Sequence, residues 1–165
     1  MAFGMNRNGV FLCFFLCSLF SMNTFGQKSI EKGFADLQEK NFGLANEHFR
    51  AGLKKSGSIA CFGLSKLFIT QDYRNLDIAY VYVLRADSLW TSVSEKVQAK
   101  WKSDFLFDQS AIEAQKQSVS QLIFDQIQTN PTVSAWNQFI QNHAQFLSRN
   151  TAIYLRDQLA FQLAK

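Results

Sequence analysis

A five-residue pattern that occurs twice constrains the fold of this chain more than any other feature. Segment 41–45 reads Asn-Phe-Gly-Leu-Ala and segment 75–79 reads Asn-Leu-Asp-Ile-Ala, so the pattern returns after 34 residues. The alanine that ends each copy is position i of a further pattern, with a bulky residue at i+4 and a small residue at i+7. These positions share one face of an α-helix and let a neighbouring helix come close. They are Ala45, Phe49 and Gly52 in the first copy, and Ala79, Val83 and Ala86 in the second. This period is typical of stacked helix–turn–helix units, so the sequence predicts an all-α array of antiparallel helical hairpins.

Composition is consistent with one folded domain. Of the 165 residues, 47% are hydrophobic and 15% aromatic, with 17 Phe, which argues against disorder. The net charge of +4 comes from scattered basic residues, and the densest groups are Lys54-Lys55 and Lys96, Lys100 and Lys102. Such groups are typical of solvated helix faces, so we expect no nucleic-acid partner.

The first 26 residues have the pattern of a secretory signal peptide. Arg7 supplies a positive charge, Val10 to Met22 is an apolar stretch, and the small residue Gly26 precedes a predicted cleavage site. The apolar stretch is shorter than the roughly 20 residues that cross a bilayer, which disfavours an uncleaved anchor. We therefore expect an exported protein, periplasmic or associated with the outer membrane, with no membrane span after cleavage.

The cysteines fit the same interpretation. Cys13 and Cys17 follow leucines, where a lipoprotein signal would have a small residue, and both would leave with the signal. Only Cys61 remains, so no intramolecular disulfide is expected. Because it lies between Ala60 and Phe62 in an apolar helix, we expect a buried and unreactive thiol.

After the signal, the pattern predicts eight helices and no sheet. Residues 27–91 would form two hairpins, with helices near 29–40 and 42–55 in the first, and 92–165 would continue as degenerate repeats in the same domain. Tyr80–Val83 suits a strand by propensity, but the equivalent 46–49 reads Asn-Glu-His-Phe, which favours helix.

Local signals predict where the helices begin and end. Gly57 is a candidate left-handed stop and Ser58 a candidate N-cap. Capping boxes are predicted at Ser92 with Glu95 and at Ser110 with Glu113, and Pro131 is expected to end the sixth helix and open the seventh. The eighth helix, near Ala152 to Leu163, ends without a polar capping helix, so we expect its apolar face to meet a further domain or a partner.

The repeated pattern of small, bulky and small residues resembles the tetratricopeptide repeat. In the second helix of that repeat, a small residue, an aromatic residue and another small residue have the same spacing. Ala45, Phe49 and Gly52 match it, and the second copy has Val83 in place of the aromatic. Segment 139–144 with Ala152 resembles a degenerate unit of exported helical-repeat proteins of Bacteroidetes-type bacteria. The resemblance implies a right-handed solenoid that binds proteins, and it implies no catalytic residue.

Groups that carry chemistry are few. His48 has no evident acid partner, and His143 continues an apolar stripe, so we expect each to be a packed or half-exposed helix residue. The mature chain contains no HExxH, GxSxG, GxxxxGK[ST] or GxGxxG motif and no paired cysteines. We therefore predict no metal, no cofactor and no enzymatic activity.

Aromatic residues are the enriched class, and they supply the candidate partner-binding set. On a helix, Tyr80 and Tyr82 are about 200° apart, so at least one is expected at the surface. The candidates for lining a peptide-binding groove are Tyr80, Tyr82, Trp90 and Trp136, together with Trp101, and the alternative is that most of them form the core.

Three functions follow in order of expectation. The first is a non-catalytic protein-interaction module of the cell envelope, which binds a protein, a peptide or another part of its own chain through an exposed apolar groove. The second is a structural spacer or assembly element, which would bury its aromatics and expose only its ends. An envelope hydrolase on a helical scaffold is a remote third.

Overall fold

The computed structural model describes the backbone of residues 24–165 and the side chains of residues 27–165. The predicted signal, 1–26, therefore lies outside the described part except for the helical backbone of 24–26. The first helix begins at Thr24 rather than near Ser29, so it includes the predicted cleavage site.

The described residues form eight α-helices and one 3₁₀ turn, and they contain no strand, which confirms the all-α prediction. Tyr80–Val83 is helical, as the repeat required. The elements are α1 Thr24–Gln38, α2 Phe42–Gly52, α3 Gly57–Phe68, the 3₁₀ turn Gln71–Tyr73, α4 Leu76–Trp90, α5 Glu95–Phe105, α6 Gln109–Thr129, α7 Val133–Asn142 and α8 Arg149–Leu163.

Consecutive helices pack in pairs. The most extensive contacts join α1 to α2 and α3 to α4, and α7 pairs with α8. Helix α4 also packs along α6, and α3 lies at the centre, with nine of its twelve residues buried. The six small and bulky residues of the repeat are all buried on α2 and α4.

Phe49 shows why the repeat needs small neighbours. Its ring is fully buried and packs against the bare backbones of two glycines on other helices. A Cβ at Gly33 of α1 would lie 2.7 Å from the ring, and one at Gly63 of α3 would lie 2.3 Å from it. Both distances are too short for carbon atoms, so the ring occupies the space that these side chains would fill.

Several predicted helix boundaries are wrong. No described glycine has a positive φ, and Gly57 begins α3 instead of ending α2. Ser58 does not cap α3, because its hydroxyl donates to the carbonyl of Ala86 at 2.7 Å. Ser56 occupies the N-cap position.

Both predicted capping boxes also fail, because each serine uses its hydroxyl elsewhere. Ser92 donates to the carbonyl of Leu89, and α5 begins after Ser94. Ser110 donates to Asp108, whose own carboxylate caps α6 by accepting from the backbone N–H of Ala111 at 3.0 Å. These hydrogen bonds lower the pKa of Asp108 to about 2.

Pro131 lies between α6 and α7 rather than within the first turn of α7. Thr132 is the N-cap of α7, and its hydroxyl accepts from the backbone N–H of Ala135 at 3.0 Å. The proline therefore separates the two helices, and capping is left to the residue after it.

The buried residues form two core clusters. The first lies between α1 and the start of α6 and includes Trp101, Phe107 and Ile112, so it continues past residue 91, where the two predicted hairpins end. The second joins the later part of α6 to α7 and α8 around Phe124 and Trp136.

Within residues 24–165, none of the helices combines the length and the hydropathy that a bilayer crossing demands.

Candidate functional site

The tryptophans predicted to line a groove lie in the two cores. Trp90 packs edge-on against Phe107 at 5.1 Å between ring centroids, and Trp136 packs against Phe124 at 5.1 Å. Trp90, Trp136 and Trp101 are all buried. Their large apolar surfaces are satisfied inside the molecule, so they do not form the predicted contact surface.

The two tyrosines are half-buried and meet different neighbours. Tyr82 stacks on Phe68 of α3, with 5.8 Å between centroids and 10° between planes. Tyr80 faces the other way, and its ring lies 4.0 Å from the imidazole of His143. The expected separation of the two side chains around α4 is therefore observed.

Helix α4 has an exposed apolar side that sequence reasoning missed. Ile78, Val81 and Leu84 are 39%, 63% and 43% exposed, and they follow each other at i, i+3 and i+6. On a helix they are centred about 180° from the buried Ala79 and Val83. The sequence did contain a sign of this side, because apolar residues occupy both sides of the helix. That pattern is typical of a helix whose two sides are both covered by other elements. We call these three residues the α4 stripe.

Helix α8 has a second exposed apolar region, which we call the α8 end. Its main partner is α7, and Ala152 is its only buried residue. Tyr154, Phe161 and Leu163 are each more than half exposed. A separate open cavity of about 330 Å³ on α8 is lined by Trp136, Leu155, Leu159, Pro131 and three glutamines.

His143 is packed, as predicted, but it belongs to a polar network. It is 4% exposed, its Nδ1 lies 2.9 Å from the hydroxyl of Ser120, and its ring stacks on Phe139 at 4.5 Å. Burial lowers the pKa of His143 to about 4, and the negative charge of Asp77 partly opposes that change. The imidazole is therefore neutral at pH 7.

His48 does have an acid partner, contrary to the prediction. Its Nδ1 lies 2.6 Å from the carboxylate of Asp36, which is twelve residues earlier on α1. The pair joins α1 to α2 across the first hairpin. Only the tertiary pairing of these helices brings the two side chains together.

A buried lysine joins α4 to α6. Lys116 forms ion pairs with Asp87 at 3.1 Å and with Glu113 at 2.6 Å. These partners raise the pKa of Lys116 despite its burial, and their contacts with it help to lower the pKa values of Asp87 and Glu113. All three groups are charged and paired at neutral pH, which suits a structural link.

Cys61 is buried in α3, and burial raises the pKa of its thiol. A thiol with a raised pKa is a poor nucleophile at neutral pH, as expected from the sequence.

Among residues 24–165, His, Cys, Asp and Glu side chains nowhere gather in a group of three or more that could hold a metal ion.

Comparison with known proteins finds no relative: no family model, no curated protein and no solved structure matches the chain at a significant level.

Proposed function

We propose that this protein is a non-catalytic protein-interaction module that binds its partner through the α4 stripe. The observation that carries the proposal is the exposure of Ile78, Val81 and Leu84 on one side of a helix whose opposite side is fully packed. A row of aliphatic side chains at this spacing suits the apolar side of a partner helix or an extended peptide. Tyr82 lies next to the stripe and can extend the contact.

The repeat supports a tetratricopeptide-like identity for this module. The small and bulky residues of both copies pack between paired helices, which is what stacked hairpins require. We propose a right-handed solenoid of an exported, Bacteroidetes-type envelope protein, located in the periplasm or at the outer membrane. The apolar stretch and the predicted cleavage site at Gly26 support export.

A second candidate function is supported by the α8 end. A structural or assembly element is expected to bury its aromatics and to expose apolar surface at its ends. The three tryptophans are buried, while Tyr154, Phe161 and Leu163 are exposed on the last described helix. In this alternative the α8 end meets a neighbouring domain or subunit. Nothing in the described residues favours the envelope hydrolase.

Paired variants can separate the two candidates. We expect Val81→Gln with Leu84→Gln to remove the partners that the full chain captures from envelope extract, because each aliphatic side chain buried in a contact contributes about 1.5–3 kcal/mol, or at least tenfold in affinity. Tyr82→Ala should weaken capture less. Tyr154→Gln with Phe161→Gln makes the same chemical change on α8 and should leave capture intact.

The opposite result would assign the contact to the α8 end and support the assembly element. Retention of every partner by both double variants would contradict both candidates. Circular dichroism of each variant checks that the helices are intact.

A further inference from the structure

Two opposite charges lie at the two ends of the α4 stripe. Asp77 precedes the stripe and Arg85 follows it, and both side chains are exposed. Neither belongs to an ion pair within residues 27–165, whereas Asp87 of the same helix is paired with Lys116 of α6. Among the described residues, the stripe therefore lies between a negative and a positive charge that have no partner of opposite sign.

These charges and the aliphatic residues are placed symmetrically about Val81, which is the most exposed residue of the stripe. Asp77 and Arg85 lie four residues before and after it, about 40° to either side of it around the helix. Ile78 and Leu84 lie three residues before and after it, about 60° to either side. In both directions from Val81, an aliphatic residue is thus followed by a charged one, and the two charges have opposite signs.

An arrangement of this kind is complementary to a copy of itself that runs in the opposite direction. A two-fold axis beside Val81 places residues that are equally far before and after Val81 at the same level on the two helices. Ile78 of each copy then lies level with Leu84 of the other, and Asp77 lies level with Arg85. Packed helices are about 8–10 Å apart, which is close enough for these charges to pair. Parallel helices would instead bring like charges together.

We propose that the α4 stripe binds a second copy of this chain, as a symmetric dimer in which the two α4 helices are antiparallel and Val81 lies at the axis. The inference rests on the proposed function, because it names the partner of the same stripe. The aliphatic side chains supply the apolar contact, and the two pairs of Asp77 with Arg85 determine direction and register. Each copy contributes far fewer side chains than the roughly 20–30 of a standard interface, so the dimer is reversible, with a dissociation constant in the micromolar range.

Exchange of the two charges tests the antiparallel pairing. Sedimentation of the full chain should show a monomer–dimer equilibrium between low micromolar and near-millimolar concentrations. Asp77→Arg and Arg85→Glu should each weaken the dimer about tenfold, because each change creates two pairs of like charge. A mixture of these two single variants should associate, since one chain then carries two positive charges and the other two negative ones. The double variant should recover the parental dimer, which also shows that neither change unfolds α4.

Glu47→Arg and Arg50→Glu are the matched controls, because they make equivalent changes of charge at exposed positions of α2. Each should dimerise as the parent chain does. An equal loss of dimer in these controls would overturn the proposal, because net charge alone would then explain the effect.

A cysteine at the proposed axis tests the register. A disulfide forms only between residues whose Cβ atoms lie about 3.5–4.5 Å apart, so mild oxidation of Val81→Cys should link two copies covalently. Cys61 is buried and should not take part. Val97→Cys is the control, because Val97 is an exposed valine on α5, away from the axis, and it should form linked copies much more slowly.

The proposal is overturned if the parent chain stays monomeric over this concentration range, if the mixed single variants associate no better than each alone, or if Val81→Cys links no faster than Val97→Cys. A monomeric chain that still loses its captured partners through Val81→Gln with Leu84→Gln would leave the proposed function standing and exclude the second copy as its partner. If both dimer and captured partners survive that double variant, both proposals fail.

Discussion

At the scale of the residue, stability depends on side chains whose neighbours leave them no room to move. The ring of Phe49 lies against Gly33 and Gly63, and a Cβ at Gly52 would lie 2.6 Å from Ile30. Protein interiors are packed as closely as organic crystals, so a single added methyl group in such a place displaces its neighbours. The glycines of the first core are therefore determined by packing rather than by backbone conformation, since none has a positive φ.

Gly63→Ala should destabilise the protein although alanine is the better helix former. The gain in helix propensity is about 1 kcal/mol, whereas overpacking a filled core typically costs about 1–3 kcal/mol. At 2.3 Å from a fully buried ring the packing cost should dominate. Chemical denaturation measures the difference.

Gly43→Ala is the control for that experiment. Gly43 also lies in a helix, but the nearest atom to an added Cβ is the Tyr73 hydroxyl at 3.9 Å. Because Gly43 is the second residue of α2 and not in its middle, we expect stabilisation of at most about 0.5 kcal/mol. Stabilisation by both substitutions would contradict the close packing of Phe49 against Gly63.

His143 should make stability fall as the pH is lowered. Its ordinary pKa of 6.5 falls to about 4 in the folded protein, so the unfolded chain binds more protons between these values. Its contribution is complete above pH 6.5, is lost as the pH falls toward 4, and amounts to about 3 kcal/mol at most. The free energy of unfolding, measured from pH 7.5 to pH 4, should show this loss.

His143→Gln provides the comparison. Its stability at pH 7.5 should be lower, because the contacts with Ser120 and Tyr80 are changed, but the fall between pH 6.5 and pH 4 should be smaller by the histidine contribution. The carboxylates titrate in both proteins, so the difference isolates His143. Parallel pH profiles would show that His143 is not the group responsible.

At the scale of the element, several helices begin one or two residues away from the positions that the sequence signals indicated. Leu106 follows the last residue of α5 and has the left-handed conformation, with φ of 53°. Its backbone N–H donates to the carbonyl of Lys102. The next residue, Phe107, is fully buried, and its backbone N–H donates to the carbonyl of Trp101. Burial of the Phe107 ring stabilises this turn. It does so although Leu106, a residue with a Cβ, is poorly suited to a positive φ.

Leu106→Gly should therefore stabilise the protein. Left-handed backbone costs a residue with a Cβ roughly 1 kcal/mol or more, and glycine carries no such cost. Leu106 is exposed, so little buried surface is lost with its side chain. Thermal unfolding should show a higher midpoint. Leu147→Gly is the control, because Leu147 is equally exposed without a positive φ, and it should not stabilise.

At the scale of the whole molecule, burial is unevenly distributed between the two cores. Nine residues of α3 are buried at the centre of the first core, whereas α8 has one buried residue and packs mainly on α7. Regions with few buried contacts open at lower free energy than the rest of a protein. Helix α8, with one buried residue, is thus a part of the molecule that a partner or a neighbouring domain can readily alter.

Hydrogen exchange should detect this gradient. Backbone amides of α3 should exchange only through global unfolding, and those of α8 should exchange through local opening at much lower free energy. Mass spectrometry of exchanged peptides measures both. Equal protection of the two helices would contradict the uneven burial, and added protection of α8 on partner binding would favour the assembly element.

The sequence by itself determined the helical class and the residues that pair the helices. The small and bulky residues recur with a helical period in both copies, Ala45 to Gly52 and Ala79 to Ala86. This period decides which face of each helix is buried. It therefore outweighed the strand propensity of Tyr80–Val83. The sequence also indicated a packed His143 and a buried Cys61, since both lie in apolar stripes. These patterns involve residues within a single helix, so they can be recognised from the amino-acid sequence without the tertiary structure.

Only the tertiary structure decided which apolar side chains remain at the surface and which polar groups meet. Trp90 and Trp136 could have lined a groove, but Trp90 packs against the loop residue Phe107 and Trp136 packs against Phe124 of α6. His48 and Asp36 lie on separate helices, and His143, directly after α7, meets Ser120 of α6. The spacing of these residues along the chain carries no sign of contact. The physical reason is that a helix specifies its own faces, whereas the element that covers each face depends on how all the helices pack together.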